Sequence, residues 1–279
     1  NARGIMRNIH QFAPPTRGIE ARYGYFLYNQ NDSYVGKSLE LYGEYCEQEV
    51  SMFRELIKPT DVIWEIGANI GSQTIPLSQF VPSGEVIAFE PQLEIFKLLC
   101  ANLSINNCEN VTPLWMALGD IDGETPLPEV NYQQAWNFGA ISLLEIENPS
   151  NKKVVVNKID SLKRFSQPNF IKIDVEGMEL MVLKGALETI SNNRPLMYIE
   201  NNGNHRFGEG TSESLIQMLW DLKYRMYWHV TYYFNRNNYF TNKQNIFGRT
   251  VALNMVCVPV ENDLVINENE ITEKSASPV

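Results

Sequence analysis

The stretch Val62-Ile63-Trp64-Glu65-Ile66-Gly67-Ala68-Asn69-Ile70-Gly71, with Glu90 following at the end of Glu85-Val86-Ile87-Ala88-Phe89, decides how this chain folds. An apolar run, a glycine-rich turn and a second apolar run ending in a carboxylate describe a nucleotide-binding strand–turn–helix–strand unit. Val62, Ile63 and Trp64 supply a buried strand. Gly67 and Gly71 let the backbone turn tightly and approach a ligand without Cβ interference. The helix opening near Gly71 points free N–H groups at whatever lies in the turn. Glu90, at the tip of the second strand, is placed to accept hydrogen bonds from both hydroxyls of a ribose. The unit therefore predicts an adenosine cofactor.

The turn separates two such cofactors. A pyrophosphate needs G-x-G-x-x-G, whose middle glycine admits the phosphates. Here that position is Asn69. Glu65, just before the first glycine, can hold the ammonium of a methionine moiety and would repel an anionic pyrophosphate. S-adenosylmethionine is thus favoured over a dinucleotide. A glycine turn of a ligand-free α/β protein accounts for the glycines but not for the placed carboxylates.

The chain has 279 residues, 44% of them hydrophobic, enough for a full core, and no apolar run approaching the ~20 residues of a membrane span. A net charge of −10 weighs against a broad electrostatic grip on nucleic acid or anionic lipid. Glu261, Asp263, Glu268, Glu270 and Glu273 face one Lys274, so residues 260–279 read as a disordered acidic tail. Cys46, Cys100, Cys108 and Cys257 form no C-x-x-C pair, and neither zinc nor a disulfide framework is implied. Sequon matches stand at Asn31, Asn102 and Asn110, but the N-terminus shows no leader pattern, and a cytoplasmic setting is the expectation.

Strands and helices alternate, which marks a parallel α/β sheet. The first strand spans 62–66 and leads into a helix from about Gly71 that carries Pro76, tolerable only near its first turn. The second strand spans 85–89, and its helix shows Ile95, Leu98, Leu99 and Leu103 on one face. A third strand is expected over 111–117. Residues 121–156 break the rhythm as a hairpin insertion, with SLLEI and KKVVVNKI as its strands. A fourth strand over 170–175 precedes one helix bearing Leu180, Leu183, Leu187 and Ile190. A fifth over 195–200 precedes a helix bearing Leu215, Leu219 and Leu222. A polar, aromatic loop follows over 228–247, then a last strand over 251–258. Residues 1–44 form an N-terminal extension with short strands near Tyr23 to Tyr28, ahead of a core domain over 45–259.

Eight segments in order carry a family resemblance: DSYVGKSLELYGEYCEQE, VIWEIGANIGSQT, IAFEPQLEIFKLLCANLSIN, MALGD, NFGAISL, NKIDSL, FIKIDVEGMELMVLKGA and PLMYIEN. On these the chain resembles the FkbM-type methyltransferases, a class I S-adenosylmethionine-dependent family. The resemblance implies a seven-stranded, mostly parallel Rossmann-like sheet with helices on both faces, and cofactor along the carboxyl ends of the strands. It implies that Glu65, Gly67, Asn69 and Gly71 hold the methionine end and Glu90 the ribose. Pro91 then shapes the ribose loop, and the backbone of Met116, Ala117 and Leu118 borders the adenine. The family usually has Asp where this chain has Glu65.

Methyl transfer to oxygen is an in-line displacement, so a site must align the acceptor and usually remove its proton. Asp174 and Glu176 follow the fourth strand; Glu200, Asn201, Asn202 and His205 follow the fifth. Asp174 is the first choice to face the sulfonium and acceptor, and Lys172 can pair with an acidic neighbour. The competing reading has Asp174 satisfied by the helix N-terminus at Gly177. His205 is the candidate general base, with a pKa close to working pH, against a reading as solvated surface. Asp174 and Glu200 could also suit a hard cation, but the resemblance carries no metal and none is expected. Glu44 either reaches the cofactor or is a solvated helix-end carboxylate. The stretch TYYFNRNNYF over 231–240 is either an acceptor-binding lid or a packed loop.

The reading is an O-methyltransferase acting on a hydroxyl of a sugar, glycan or polyketide-like molecule, with no nucleic-acid or membrane partner and no sign of a particular oligomeric state. A dinucleotide-dependent oxidoreductase and a catalytically inactive cofactor-binding module are the alternatives.

Overall fold

The computed structural model describes residues 8–143, 146, 148–202 and 212–274. The chain opens with an antiparallel sheet of β1 (Ile9–Gln11), β2 (Thr16–Ala21) and β3 (Gly24–Asn29), then α1 (Val35–Tyr42) and α2 (Glu47–Leu56). The nucleotide-binding unit follows as β4 (Val62–Ile66), α3 (Thr74–Phe80), β5 (Glu85–Phe89), α4 (Leu93–Ile105) and β6 (Val111–Leu114). After β7 (Ala117–Leu118), β8 (Gly123–Pro128) and β9 (Pro149–Asn157) come β10 (Phe170–Ile173), α5 (Glu179–Lys184) and α6 (Leu187–Asn193). The chain continues through β11 (Leu196–Glu200), α7 (Ser212–Asp221), β12 (Tyr224–Tyr232) and β13 (Val251–Pro259).

The expected seven-stranded sheet is present in the order β6-β5-β4-β10-β11-β13-β12, parallel except where β13 runs against both neighbours. The strand order reverses between β4 and β10. At such a switch point the loops of both halves diverge and leave a crevice beyond the carboxyl ends.

Side chains alternate between faces along each strand. Trp64, Ile66, Ile87, Ile171 and Ile173 pack on Val182, Leu183, Ile190 and Ile216 of α5 to α7. Ile63, Val86, Phe170 and Tyr198 pack on Phe53, Leu56 and Leu77 of α2 and α3. On this second face the next residues toward the carboxyl ends are Glu65, Lys172 and Glu200, so an apolar layer gives way to a charged one. Phe53 lies edge-on to Phe170 and Tyr198, at ring-centroid distances of 5.8 and 4.9 Å. Glu49, one turn earlier on α2, consequently meets the charged layer.

The N-terminal sheet is fastened to α4 by two asparagines one turn apart. Asn102 accepts from Leu27 N (2.6 Å) and donates to Leu27 O (2.9 Å) and Ile70 O (2.8 Å); Asn106 repeats the exchange with Tyr25 N and O at 2.8 and 2.7 Å. Each side-chain amide thus stands in for a neighbouring strand. Asn102 is fully buried, which removes it as a glycosylation acceptor.

Several expected elements differ. The third strand stops at Leu114, and Ala117 and Leu118 pair instead with Val156 and Asn157 of β9. Pro113 lacks an N–H and sits in β6, an edge strand, where none is needed. In the insertion, β9 pairs with β8, and the described residues of SLLEI, Ser142, Leu143 and Ile146, lie outside any strand. The helix expected from about Gly71 begins at Thr74, which puts Pro76 in its first turn. The single helix expected after the fourth strand is broken into α5 and α6. Gly185 passes so close to Gly119 that a Cβ would overlap the Gly119 carbonyl oxygen, and Asp160 caps α6 by accepting from Glu188 N and Thr189 N at 2.9 and 2.8 Å. The loop expected from Trp228 begins only after Tyr232, because β12 runs on as the partner of β13. Residues 260–274, expected to be disordered, return along β12: Ile271 is buried and its N–H bonds to Met226 O at 2.8 Å. No helix among the described residues is long and apolar enough to cross a membrane.

Candidate active site

A cleft of about 1050 Å³, partly open to solvent, lies beyond the carboxyl ends of β4, β5, β10 and β11. Of the residues expected at the site, Glu65, Gly67, Asn69, Glu90, Pro91, Met116, Ala117, Leu118, Asp174, Glu176 and Glu200 line it. Gly71 is not on its wall; it supports the turn from behind, donating to Ala68 O at 2.9 Å and packing against Leu99. His205 lies outside the described residues.

The turn after β4 is shaped by contact with β10. Gly67 has φ +89°, and a Cβ there would overlap the carbonyl oxygen of Asp174. Asn69 is left-handed (φ +51°), a conformation asparagine tolerates, and its Oδ1 accepts from Ile70 N at 2.7 Å. Glu90 clamps this turn: it accepts from Asn69 N at 3.0 Å and from Gln92 N at 2.8 Å. Burial pushes its pKa up to about 7, against the pull of those two N–H groups. Glu90 therefore has a structural role in addition to the ribose contact expected of it.

Glu65 is 1% exposed, and neither of its oxygens makes a hydrogen bond of good geometry with any described residue, the Thr74 hydroxyl being its nearest polar help. Burial raises its pKa to about 7, opposed chiefly by Lys172. Lys172 is itself 2% exposed and donates to Asp174 Oδ2 at 3.1 Å. Burial works against its ammonium, but Asp174, Glu65 and Glu49 together outweigh that and hold its pKa above the ordinary value. Glu49 is buried and accepts from Gln73 at 2.8 Å, Thr231 at 2.9 Å and Asn254 at 3.1 Å.

On the other side, Asp174, Glu176 and Glu200 bring carboxylate oxygens within 4.8 Å of one another. The N–H of Gly177 is taken by Glu179 Oε1 at 3.1 Å, so Asp174 is not the cap of the following helix. Glu200 is buried and accepts a short hydrogen bond from Asn202. Burial, followed by the charges of Asp174 and Glu176, raises its pKa well above the usual carboxylate range. Burial, then Asp174 and Glu179, lifts Glu176 to about 8. Asn201 does not face the cleft but donates to Ser212 Oγ at 2.9 Å.

Tyr45 and Tyr233 form the aromatic wall, with ring centroids 5.9 Å apart. Burial raises the pKa of both phenols and keeps them protonated. The 231–240 stretch is packed into the fold, with Tyr233 on the cleft wall. Thr231 lies in β12 bonded to Glu49, Tyr232 is exposed, and Phe234 packs edge-on to Tyr42 at 5.4 Å. Glu44 fastens the rest: it is buried and accepts from Arg22 at 2.7 Å, Asn235 at 2.8 Å and Tyr239 N at 2.8 Å, away from the cleft. Glu49, Gln73, Tyr45 and Asn254 were missed in the sequence. Only Glu49 left a trace there, as an acidic residue on the apolar stripe Val50-Phe53-Leu56 of α2.

The methyltransferase FkbM domain matches residues 65–226, from the turn through the strands that build the cleft. Hexuronic acid methyltransferase AglP of Haloferax volcanii is 30% identical over 154 residues, which cover 52% of this chain and 59% of that protein. The chain thus spans about three-fifths of the length of this curated relative. The crystal structure of methyltransferase FkbM from Methylobacillus flagellatus is similar with a TM-score of 0.48 and 18% identity, covering 72% of this chain and 44% of that one. Precorrin-6y C5,15-methyltransferase from Geobacter metallireducens is similar with a TM-score of 0.46 and 13% identity, covering 77% and 86%. With more than half of its length matched, this chain belongs to the FkbM methyltransferase family.

Proposed function

We propose that this chain transfers a methyl group from S-adenosylmethionine to a hydroxyl of a polyhydroxylated acceptor such as a sugar, a glycan terminus or a polyketide-like molecule. The observation that carries the reading is Glu65, a buried carboxylate with both oxygens unpartnered on the cleft wall. Leaving such a group without a partner is costly, and a ligand ammonium relieves it. Among the described residues the wall has six carboxylates, Glu49, Glu65, Glu90, Asp174, Glu176 and Glu200, against Lys172 alone. That balance suits a methionine end with a sulfonium and an ammonium, net +1 with its carboxylate, and opposes a pyrophosphate, which disfavours the dinucleotide reading. The glycine turn at Gly67 leaves the space that a Cβ would take, and Glu90 keeps lone pairs beyond its two backbone bonds.

When bound, the cofactor supplies an electrophilic methyl group on a positively charged sulfur. Glu65 would hold its ammonium, Glu90 and Pro91 its ribose, and Met116, Ala117 and Leu118 its adenine. Asp174, held by Lys172, stands as a fixed anion on the acceptor side. Tyr45 and Tyr233 offer aromatic faces for an acceptor ring, and Asn254 an amide. The relative's name specifies a hexuronic acid; the acidic wall here favours a neutral polyol.

The test is a thermal-shift screen followed by labelled-methyl transfer. S-adenosylmethionine and S-adenosylhomocysteine at ~100 Kd should each add about 2.7 kcal/mol of stability, and NAD or NADP nothing. Label should pass to sugars or polyols but not to RNA or protein. Stabilisation by NAD alone, or label confined to RNA or protein, would falsify the reading.

A further inference from the structure

We infer that Glu176 is the group that takes the proton from the acceptor hydroxyl. This rests on the methyl-transfer reading above and assigns a step within it.

Three carboxylates share the acceptor side, and their engagements differ. Asp174 Oδ2 already receives a hydrogen bond from the buried Lys172 ammonium. Glu200 lies deeper, at 7% exposure, and receives one from Asn202. Glu176 is half-buried on the cleft wall and makes no hydrogen bond or ion pair with any described residue. A proton acceptor must present a lone pair to the incoming O–H; Asp174 and Glu200 each have one oxygen engaged, whereas both Glu176 oxygens are open.

The local backbone explains how it comes to be there. Glu176 is left-handed (φ +54°), an uncommon conformation for a residue with a long side chain, and Gly177 follows at φ +97°. Glu179 takes the N–H groups of Val175 and Gly177 at 3.3 and 3.1 Å, which fixes this bend without drawing on Glu176. Strain of this kind persists where the surroundings over-determine it, as at ligand sites. The same cleft holds the unpartnered Glu65, an independent sign that a ligand occupies it. The charged groups facing Glu176 are Lys172 from β10, Asp174 just beyond its end, Glu179 from α5 and Glu200 from β11. Burial and the neighbouring carboxylates outweigh Lys172 and raise its proton affinity toward working pH, where a general base is most effective.

The balance of the step is complete with the groups named. The acceptor O–H bond breaks and its proton goes to a Glu176 carboxylate oxygen. The oxygen forms a bond to the methyl carbon, and the electron pair of the broken carbon–sulfur bond stays on sulfur.

The experiment compares wild type with Glu176→Gln and Glu176→Asp, using a panel of methyl glycosides as acceptors and S-adenosylhomocysteine as the binding probe. In Glu176→Gln, turnover should fall by about 10²–10⁴ and the rising limb of the pH–rate profile should vanish. Its S-adenosylhomocysteine affinity by calorimetry should stay within about threefold of wild type, and Glu176→Asp should recover part of the rate. In ¹³C-glutamate-labelled protein, one side-chain carboxyl resonance titrating above neutral pH should be lost in Glu176→Gln. Turnover within about threefold of wild type, or an unchanged pH limb, overturns the inference while leaving the methyl-transfer reading intact. Activity abolished by a chelator and restored by Mg²⁺ also overturns it, because the carboxylates would then be ligands. Wild-type protein that binds S-adenosylhomocysteine but methylates no glycoside overturns the acceptor reading and this inference with it.

Discussion

Glu65 and Lys172 stand opposite each other in register on neighbouring parallel strands, both buried, yet the Lys172 ammonium bonds to Asp174 and leaves both Glu65 oxygens unpartnered. A single buried cation thus holds Asp174 in place while Glu65 stays available.

Replacing Glu65 with Gln should weaken S-adenosylhomocysteine binding by the value of a charged hydrogen bond, about 1.5–3 kcal/mol. The unliganded protein should lose little stability, because an unpaired buried charge is removed along with the carboxylate. Calorimetry and chemical denaturation of the same samples separate the two effects. Unchanged affinity would place the ammonium elsewhere.

Stability should depend on pH in a direction set by the raised carboxylates. Burial lifts Glu65 and Glu90 to about 7 and Glu176 to about 8, above the ordinary value of 4.5. Their contribution is complete below about pH 4.5 and is lost as pH rises through 7 to 8. The Tm of unliganded protein should therefore decline across that window. Binding of S-adenosylhomocysteine should strengthen over the same interval, as Glu65 ionises. A scanning-calorimetry series with and without ligand checks both slopes.

Glu90→Ala should destabilise the protein even without ligand. It leaves the N–H groups of Asn69 and Gln92 without their acceptor, at about 1–3 kcal/mol for each that water cannot reach. Cofactor affinity should fall as well. An unchanged denaturation midpoint would show that the turn is held by other contacts.

Gly67→Ala should be more damaging than most exchanges of glycine for alanine. The positive φ alone costs about 1–3 kcal/mol, and the added methyl overlaps the Asp174 carbonyl. Circular dichroism melts against wild type measure the loss. A drop no larger than that of an ordinary surface substitution would mean that the turn can move.

Much of this architecture was legible because local pattern and tertiary role agree. The alternation of apolar strands and amphipathic helices predicted the sheet, and the Glu65-to-Gly71 turn with Glu90 marked the cleft. Elements that depend on distant partners were not legible. The leucine spacing of Leu180, Leu183, Leu187 and Ile190 runs through Gly185 as if nothing happened there, because the break is made by Gly119 across the fold. The strand Gly123–Pro128 carries Pro126 and Pro128 and reads as a loop until β9 lies beside it. Ile271 is one apolar residue in an acidic run, too little to predict its burial against β12. Glu49 and Tyr45 reach the cleft only because Phe53 seats α2 on the sheet.

The backbone contact between Gly67 and Asp174 has a consequence for how such a site can change. The turn after β4 and the end of β10 meet main chain to main chain, with no side chain between them. Their separation is set by the skeleton and cannot be retuned by choosing another rotamer or another residue type. Adaptation to a new ligand must then come from parts further out, such as Tyr45, Tyr233 and Asn254, which can be exchanged while the innermost joint keeps its dimensions. The molecule is built like a vice with one fixed jaw.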